Sequence, residues 1–424
     1  VIQSWFQDAK FGIFIHWGIY AVQGVDESWA FFNNKVSYDQ YMAQLGSFTA
    51  RHYDPNAWGR LFGDAGAKYA VLTAKHHDGV ALWNTEANDL NVVQKTPAAA
   101  DLIGPYCEAM REHDLKVGLY FSHLDWSHPD YTAWQNPHPG QAFNRFTFRD
   151  GDSDPEAWER FVAFRNQQVQ ELCTRFGKVD LLWFDGDWDF AAEIWRMKEL
   201  RAQILRDQPG CVINSRMRGH GDYETPEQGI PILAPEGPWE FCVTMNDNWG
   251  YQPQDRNYKS SHELIQMLCE CAGMGGNMLL DVGPMENGMI PEPQEQRLRE
   301  IGTWLRGNGE GIYGTRAGLP FGHFHGPSTR SGDGSVLYLF LFGGIKGSAG
   351  VKGIRNGIRS VEILSTGERV EFRKIGGAAW NDIPGILWMS EPKESFDEPV
   401  TVIKVTLEGE LSLYRGRGEH ISVN

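Results

Sequence analysis

Leu181-Leu182-Trp183-Phe184-Asp185-Gly186-Asp187-Trp188 places two carboxylates and two indoles directly behind an apolar run, Val179 to Phe184. A run of this kind reads as a buried parallel strand. An indole covers the apolar C–H face of a pyranose, while a carboxylate beside it can act at the anomeric carbon. Glycoside hydrolysis needs two carboxyl groups, one to attack or stabilise and one to protonate the leaving oxygen. Asp185 is the first candidate. Asp187 points the same way only if the chain stays extended. The loop acids Glu224, Glu227, Glu236 and Glu240 are candidates for the second carboxyl, and residue chemistry alone leaves them open.

Other apolar runs end in polar groups of the same kind. His16 follows the first, and Lys75-His76-His77-Asp78-Gly79 follows the second. Tyr120 lies on the third, with His123, Asp125 and Trp126 beyond it. Asn214, Arg216 and Arg218 follow the fifth, and Asn246 and Trp249 the sixth. One histidine at a strand end is usually a satisfied core group. Three of them with repeated tryptophans on one rim suggest a sugar site, since a neutral imidazole both donates to and accepts from hydroxyls. Adjacent histidines on a strand point to opposite faces, so His76 and His77 rarely chelate one ion. In a loop they can, with Asp78 or His16 adding a ligand. A metal-dependent hydrolase is thus a rival reading, and the expectation is no metal.

These groups need a frame. Candidate strands at Phe11–Trp17, Tyr69–Thr73, Lys116–Ser122, Val179–Phe184, Val212–Asn214, Phe241–Met245 and Met278–Asp281 alternate with candidate helices near 56–65, 100–113, 155–176, 191–207, 261–274 and 292–307. The alternation implies βαβ units and an α/β fold. Seven or eight units in about 310 residues predict a (β/α)8-like barrel, whose catalytic groups collect at the C-terminal ends of the strands. A doubly wound open sheet would show a Gly-rich turn after its first strand, and Phe11–Gly18 has none. From Ser335 onward the runs are short and broken by glycine: Ser335–Phe342, Ser360–Leu364, Arg369–Arg373, Gly385–Met389, Val400–Leu407 and Glu410–Tyr414. They predict an antiparallel β-sandwich. The expected division is a catalytic barrel over 1–313 and a sandwich over 314–424.

A net charge of −16 argues against nucleic acid or an anionic membrane as partner. No apolar stretch approaches the roughly 18 residues of a membrane span. The cysteines at 107, 173, 211, 242, 269 and 271 form no Cys-x-x-Cys pair, and read as buried thiols in a reducing, cytoplasmic compartment. The chain opens at Val1, which is also compatible with a removed leader. A homo-oligomer is compatible with this composition.

From Trp5 to Tyr313 the sequence resembles the α-L-fucosidases of glycoside hydrolase family 29. The resemblance is carried by Trp5-Phe-Gln-Asp-Ala-Lys-Phe-Gly-Ile-Phe-Ile-His16-Trp-Gly, Tyr69-Ala-Val-Leu-Thr-Ala-Lys-His76-His77-Asp-Gly, Val117-Gly-Leu-Tyr120-Phe-Ser and Leu182-Trp183-Phe-Asp185-Gly. Further markers are Asn214-Ser-Arg216, Trp239-Glu240, Asn248-Trp249-Gly-Tyr251 and Gly275–Pro284. The resemblance implies a (β/α)8-like barrel with a C-terminal β-sandwich. It also implies a retaining exo-α-L-fucosidase without a cofactor, acting on a fucosylated glycan. It assigns Asp185 as nucleophile and, through Asp222-Tyr-Glu-Thr225-Pro-Glu227, Glu227 as acid/base, ahead of Glu240 and Glu236. His16, Trp29, His76, His77, Tyr120, Trp183, Arg216 and Trp249 are implied as substrate-binding. The family's Glu-Trp-Tyr segment reads here as Glu27-Ser28-Trp29-Ala30. A catalytically silent sugar-binding protein of this fold is the other alternative.

Overall fold

Apolar runs without alternation become strands buried on both faces. In the computed structural model, which describes residues 3–131, 154–343, 347–391 and 399–416, seven such strands form one parallel sheet. They are β1 (Phe11–Ile15), β2 (Tyr69–Lys75), β3 (Lys116–Ser122), β4 (Leu181–Asp185), β5 (Val212–Ile213), β6 (Glu240–Val243) and β7 (Asn277–Val282). Their order is β5-β4-β3-β2-β1-β7-β6. Apart from Lys116, every strand residue is buried. The β3–β4 register pairs Ser122 with Asp185, so the ends of neighbouring strands stand level.

The gap between β5 and β6 is closed by an irregular segment rather than a full strand. Parallel bridges link Tyr223 to Asn214 on one side, and Glu224 to Trp239 and Glu227 to Cys242 on the other. Asp222 anchors the start of this segment. Its backbone N–H donates to the Ile213 carbonyl (2.7 Å), and its carboxylate accepts from the Ile213 N–H (2.9 Å). Arg201 Nη2 donates to the same carboxylate at 2.6 Å. The predicted barrel therefore has seven strands and an eighth position filled by residues 223–228.

Outer helices follow the expected positions: Pro55–Asp64, Ile103–Glu112, Pro155–Arg175, Ser261–Gly273 and Glu292–Asn308. Aspartate followed by proline starts two of them. Asp54 and Asp154 accept from the N–H groups of Ala57 and Ala157, a cap that satisfies otherwise orphaned donors. The helix expected over 191–207 is split at Arg196, whose φ is +54°, into Ala192–Trp195 and Met197–Asp207. Short helices at Trp29–Phe32, Tyr38–Met42 and Val92–Lys95 had no sequence signal, because four or five residues carry too little periodicity. No described helix is long and apolar enough to cross a membrane.

The C-terminal region is two antiparallel sheets packed face to face. One runs β12-β15-β10-β9-β8, from β8 (Arg316–Ala317), β9 (Ser328–Arg330), β10 (Val336–Phe342), β12 (Ile358–Ile363) and β15 (Val400–Leu407). The other runs β11-β14-β13, from β11 (Ser348–Val351), β13 (Phe372–Ile375) and β14 (Ile386–Ser390). Leu337, Leu339, Val361, Ile403 and Val405 meet Val351, Leu387 and Met389 in one core. The opposite face supplies Tyr338, Phe340, Val400 and Val402 to the barrel's own core. There Trp304 Nε1 donates to the Val400 carbonyl at 2.9 Å. Residues 410–414 make a single bridge, Ile354 to Leu413, rather than the expected strand.

Because Asp222 ties the closing segment to both β5 and a helix, Asp222→Ala is expected to lower stability by about 1–3 kcal/mol. A urea titration checks this, with a lower midpoint at an unchanged slope. An unaltered midpoint means the segment is held by its bridges alone.

Candidate active site

At the C-terminal ends of the strands lies a cavity of about 250 Å³. Asp185, the last residue of β4, lines it and is mostly buried. Its Oδ1 accepts from Arg216 Nη1 (2.6 Å) and from the Gly186 N–H (2.9 Å). Its Oδ2 accepts from Tyr120 Oη at 2.9 Å. Burial pushes this carboxyl up, but the charge of Arg216 and the bonds from Arg216 and Tyr120 outweigh it. The net result is a group held below the usual aspartate value.

Arg216 follows β5 and reaches over the Trp183 ring, with Cζ 4.8 Å from its centroid. Its second terminal nitrogen donates to Glu227 Oε2 at 2.6 Å. One guanidinium therefore spans the interval between Asp185 and Glu227. Glu227 sits on the closing segment and lines the cavity, as does Glu27. The other acids do not line it. Glu224 and Glu236 are solvent-exposed. Asp187 accepts from the Arg218 N–H at 3.1 Å. Glu240 lies inside the barrel below Trp183, where it accepts from Trp183 Nε1 (2.9 Å), Tyr223 Oη (3.3 Å) and Tyr69 Oη. Three donors and full burial give it the task of fixing the Trp183 indole. Burial pushes its carboxyl up to about 7.

His16 and His76 line the cavity. His16 Nδ1 lies 2.7 Å from Asp281 Oδ1 on β7. His76 Nδ1 bonds to Ser28 Oγ at 2.7 Å. His77 packs against His76 (4.2 Å between ring centroids), fully buried, with Nδ1 on Ser122 Oγ (2.6 Å) and Nε2 3.6 Å from Asp185 Oδ2. Burial lowers all three imidazoles, His16 to about 3 and His77 to about 4, so they are neutral at ordinary pH. The turn that carries the pair needs glycine. Gly79 has φ +82°, and a Cβ there would sit 2.3 Å from Asp125 Oδ1.

Aromatic rings enclose the remainder. Trp183 stacks on Tyr120 (5.6 Å, 18°), Trp249 lies against His16 (4.9 Å), and Trp29 stacks with Trp188 (6.2 Å, 23°). All six rings line the cavity, with Phe14 and Cys242 completing it. The site thus offers a buried carboxylate, an adjacent exposed one, neutral polar nitrogens and apolar walls.

The family model described as Alpha-L-fucosidase matches residues 1–310. The chain belongs to the α-L-fucosidase family. It is a glycoside hydrolase. It is 29% identical over 343 residues to the tissue alpha-L-fucosidase of Mus musculus, covering 74% of this chain and 72% of that protein. Among solved structures, alpha-L-fucosidase isoenzyme 1 from Paenibacillus thiaminolyticus superposes with a TM-score of 0.85 at 35% identity, covering 95% of this chain and 98% of that one. A GH29 alpha-L-fucosidase from Bacteroides thetaiotaomicron, trapped as a covalent intermediate with 2-fluoro-fucosyl fluoride, gives 0.83 at 26%, with 96% of each chain covered. A retaining mechanism accords with that intermediate.

As a fucosidase-family site it departs from expectation in several places. The rival trio His76, His77 and Asp78 does not converge. Asp78 turns away to accept from Tyr41 Oη (2.7 Å) and the Val80 N–H (2.9 Å). Among the described residues the ligand atoms that gather within 4.8 Å are those of His76, His77 and Asp185. There the Arg216 guanidinium already opposes a dication. Despite the additional Ser28, Glu27 and Trp29 both reach the cavity, because Ser28 adopts φ +51° and turns the chain between them. Glu27 is pushed up to about 7 by burial. Asn214 is no sugar ligand: it exchanges two bonds of 2.8 Å with the Phe184 backbone. Phe14, Asp281 and Cys242 were not singled out from sequence. Only the strand-end position of Asp281 and the inward alternation of β1 could have indicated them.

Two outcomes follow for this fucosidase-family chain. Dialysis against a strong chelator should leave turnover of an aryl fucoside unchanged. Loss of activity restored by zinc or manganese would put the metal reading first. Glu240 gives a pH test of stability. Its folded value of about 7 exceeds its ordinary 4.5, so its proton favours the fold. That contribution is complete below the unfolded value and is lost as pH rises through the folded one. The stability of wild type relative to Glu240→Gln should therefore fall between about pH 5 and about pH 8. Denaturant midpoints of the two proteins measure it, and parallel curves would remove the titration.

Proposed function

We propose that this chain is a retaining exo-α-L-fucosidase in which Asp185 is the nucleophile and Glu227 the acid, then the base. The carrying observation is the shared guanidinium: Arg216 donates to both carboxylates at 2.6 Å. Asp185 is ionised and points from the strand end into a sugar-sized cavity. In the first step its oxygen bonds to the anomeric carbon of a terminal fucose while the glycosidic bond breaks. The proton of Glu227 passes to the departing oxygen. Asp185 then carries an ester and Glu227 a negative charge, still on Arg216. In the second step Glu227 takes a proton from water, whose oxygen displaces Asp185. Across both steps the charge moves from one side of the guanidinium to the other, and the net charge of the trio stays constant. A fixed cation between the two positions stabilises each state without reorganisation. The neutral His16 and His76 with Glu27 meet ring hydroxyls, and Trp29, Trp183 and Trp249 cover apolar faces. A terminal fucose on a glycan is the expected substrate.

Asp185→Gly is expected to lower turnover of an aryl fucoside by several orders of magnitude, with azide or formate restoring part of it. A β-fucosyl azide is the expected rescue product, from a single inversion. Near-normal turnover in Asp185→Gly, with loss in Asp187→Gly, moves the nucleophile to Asp187.

Glu227→Ala separates the two steps. A natural oligosaccharide, with its poor leaving group, should be cleaved very slowly, whereas an aryl fucoside with an acidic phenol should lose little in its first step. The fucosyl-enzyme should then accumulate, and azide should release it as the α-anomer after two inversions. If Glu236→Ala shows this pattern and Glu227→Ala does not, the acid/base is Glu236.

A further inference from the structure

His76 and His77 are neighbours in sequence, yet the Nδ1 atom of each rests on a different serine, and the two serines face opposite demands. Ser122 Oγ has one proton and donates it to the Leu124 carbonyl at 2.8 Å, an atom that only accepts. The 2.6 Å bond between Ser122 Oγ and His77 Nδ1 must then be donated by the ring. His77 therefore carries its proton on Nδ1, and its Nε2 holds a lone pair. That Nε2 is buried, has no hydrogen-bond partner among the described residues, and lies 3.6 Å from Asp185 Oδ2.

Ser28 is arranged the other way. Its Oγ already accepts from the Asp78 N–H at 2.8 Å. The acceptor that its own proton meets is His76 Nδ1, at 2.7 Å. Ser28 is fully buried, and a buried hydroxyl proton without an acceptor is costly. Ser28 therefore donates, His76 Nδ1 accepts, and His76 carries its proton on Nε2. Burial keeps both rings neutral, so neither escapes the choice by taking a second proton.

We propose that Ser28 and Ser122 are positioning residues that hold His76 and His77 in opposite tautomers, giving the site a donor at His76 Nε2 and an acceptor at His77 Nε2. Two lone pairs, on His77 Nε2 and Asp185 Oδ2, then confront each other until a hydroxyl of the bound sugar places its proton between them. A sugar must supply an accepting oxygen at one histidine and a donating hydroxyl at the other. An epimer with either hydroxyl moved leaves a buried nitrogen unpaired. What the nitrogens meet rests on the function proposed above; the tautomers belong to the protein without substrate.

Two-bond imidazole spectra of 15N-histidine protein, assigned with His76→Gln and His77→Gln, read the proton positions directly. The expected result is a neutral Nε2–H ring at 76 and a neutral Nδ1–H ring at 77. The same tautomer in both, the reverse pair, or a protonated ring overturns the proposal. Ser28→Gly then isolates the hydroxyl, because φ +51° suits glycine and the fold is not strained by the change. In this variant the 76 ring should lose its single tautomer, and kcat/KM for an aryl fucoside should fall about tenfold or more, with the inhibition constant of L-fucose rising. Ser122→Ala should do the same through the 77 ring. A Ser28→Gly protein with wild-type kcat/KM and an unmoved 76 ring sinks the role of Ser28. Wild-type protein that shows the expected tautomers but cleaves no fucoside fails the function instead, and leaves the serine assignment standing.

Discussion

The pairing of one guanidinium with two carboxylates is the constraint on which the site depends. Arg216 must come from the end of β5, Asp185 from the end of β4, and Glu227 from the segment that closes the ring. These three chain positions meet only if the sheet curls far enough for residues 223–228 to bridge β5 and β6. The Arg216–Asp185 bond is mostly buried and strong, whereas the Arg216–Glu227 bond is more open to solvent and screened. They also demand their geometry, because a slip of one strand would leave a buried charge without its partner.

Below that trio the barrel interior is unusually polar at one level. Glu240 accepts from Tyr69, Tyr223 and Trp183, and so the ring that floors the sugar pocket is tied to a carboxylate beneath it. Behind the histidines lies a second buried network. Lys75 Nζ donates to Asp125 and Gln168, each at 3.1 Å, and Asp125 in turn accepts from the N–H groups of Ser127 and His128. It joins the loop after β2 to the loop after β3. Buried networks of this kind tie down loops that would otherwise be the least stable part of a barrel. The sugar-facing groups are thus set on loops that behave as extensions of the strands.

The sandwich contributes at a distance. Its five-stranded sheet completes the barrel's core through Tyr338, Phe340, Val400 and Val402, against the helix that holds Trp304. Among the described residues its side chains do not line the cavity that contains Asp185. The described lining comes from the barrel, and the second region acts on it through packing of the outer helices.

Much of this was legible in residue order. Long apolar runs at even spacing specify buried parallel strands and their helices, because burial on both faces leaves only one kind of run. Asp185, His16 and Trp183 are predictable for the same reason: they stand at or close to strand ends, and strand ends converge on one rim. Three things were decided by the tertiary structure. The placement of the loop acids was one: Glu227 lines the cavity, Glu236 is exposed and Glu240 is interior, a difference that local sequence does not carry. Glu240 looked like a loop acid and is an interior one. The helix break at Arg196 and the turn at Ser28 were another, since a positive φ in a non-glycine residue is imposed by surroundings. The protonation pattern of the histidines was the third. Two identical neighbours, His76 and His77, differ because Ser28 has a backbone N–H to satisfy and Ser122 a carbonyl. Sequence lists which atoms can donate and accept; only the folded chain decides which of them meet.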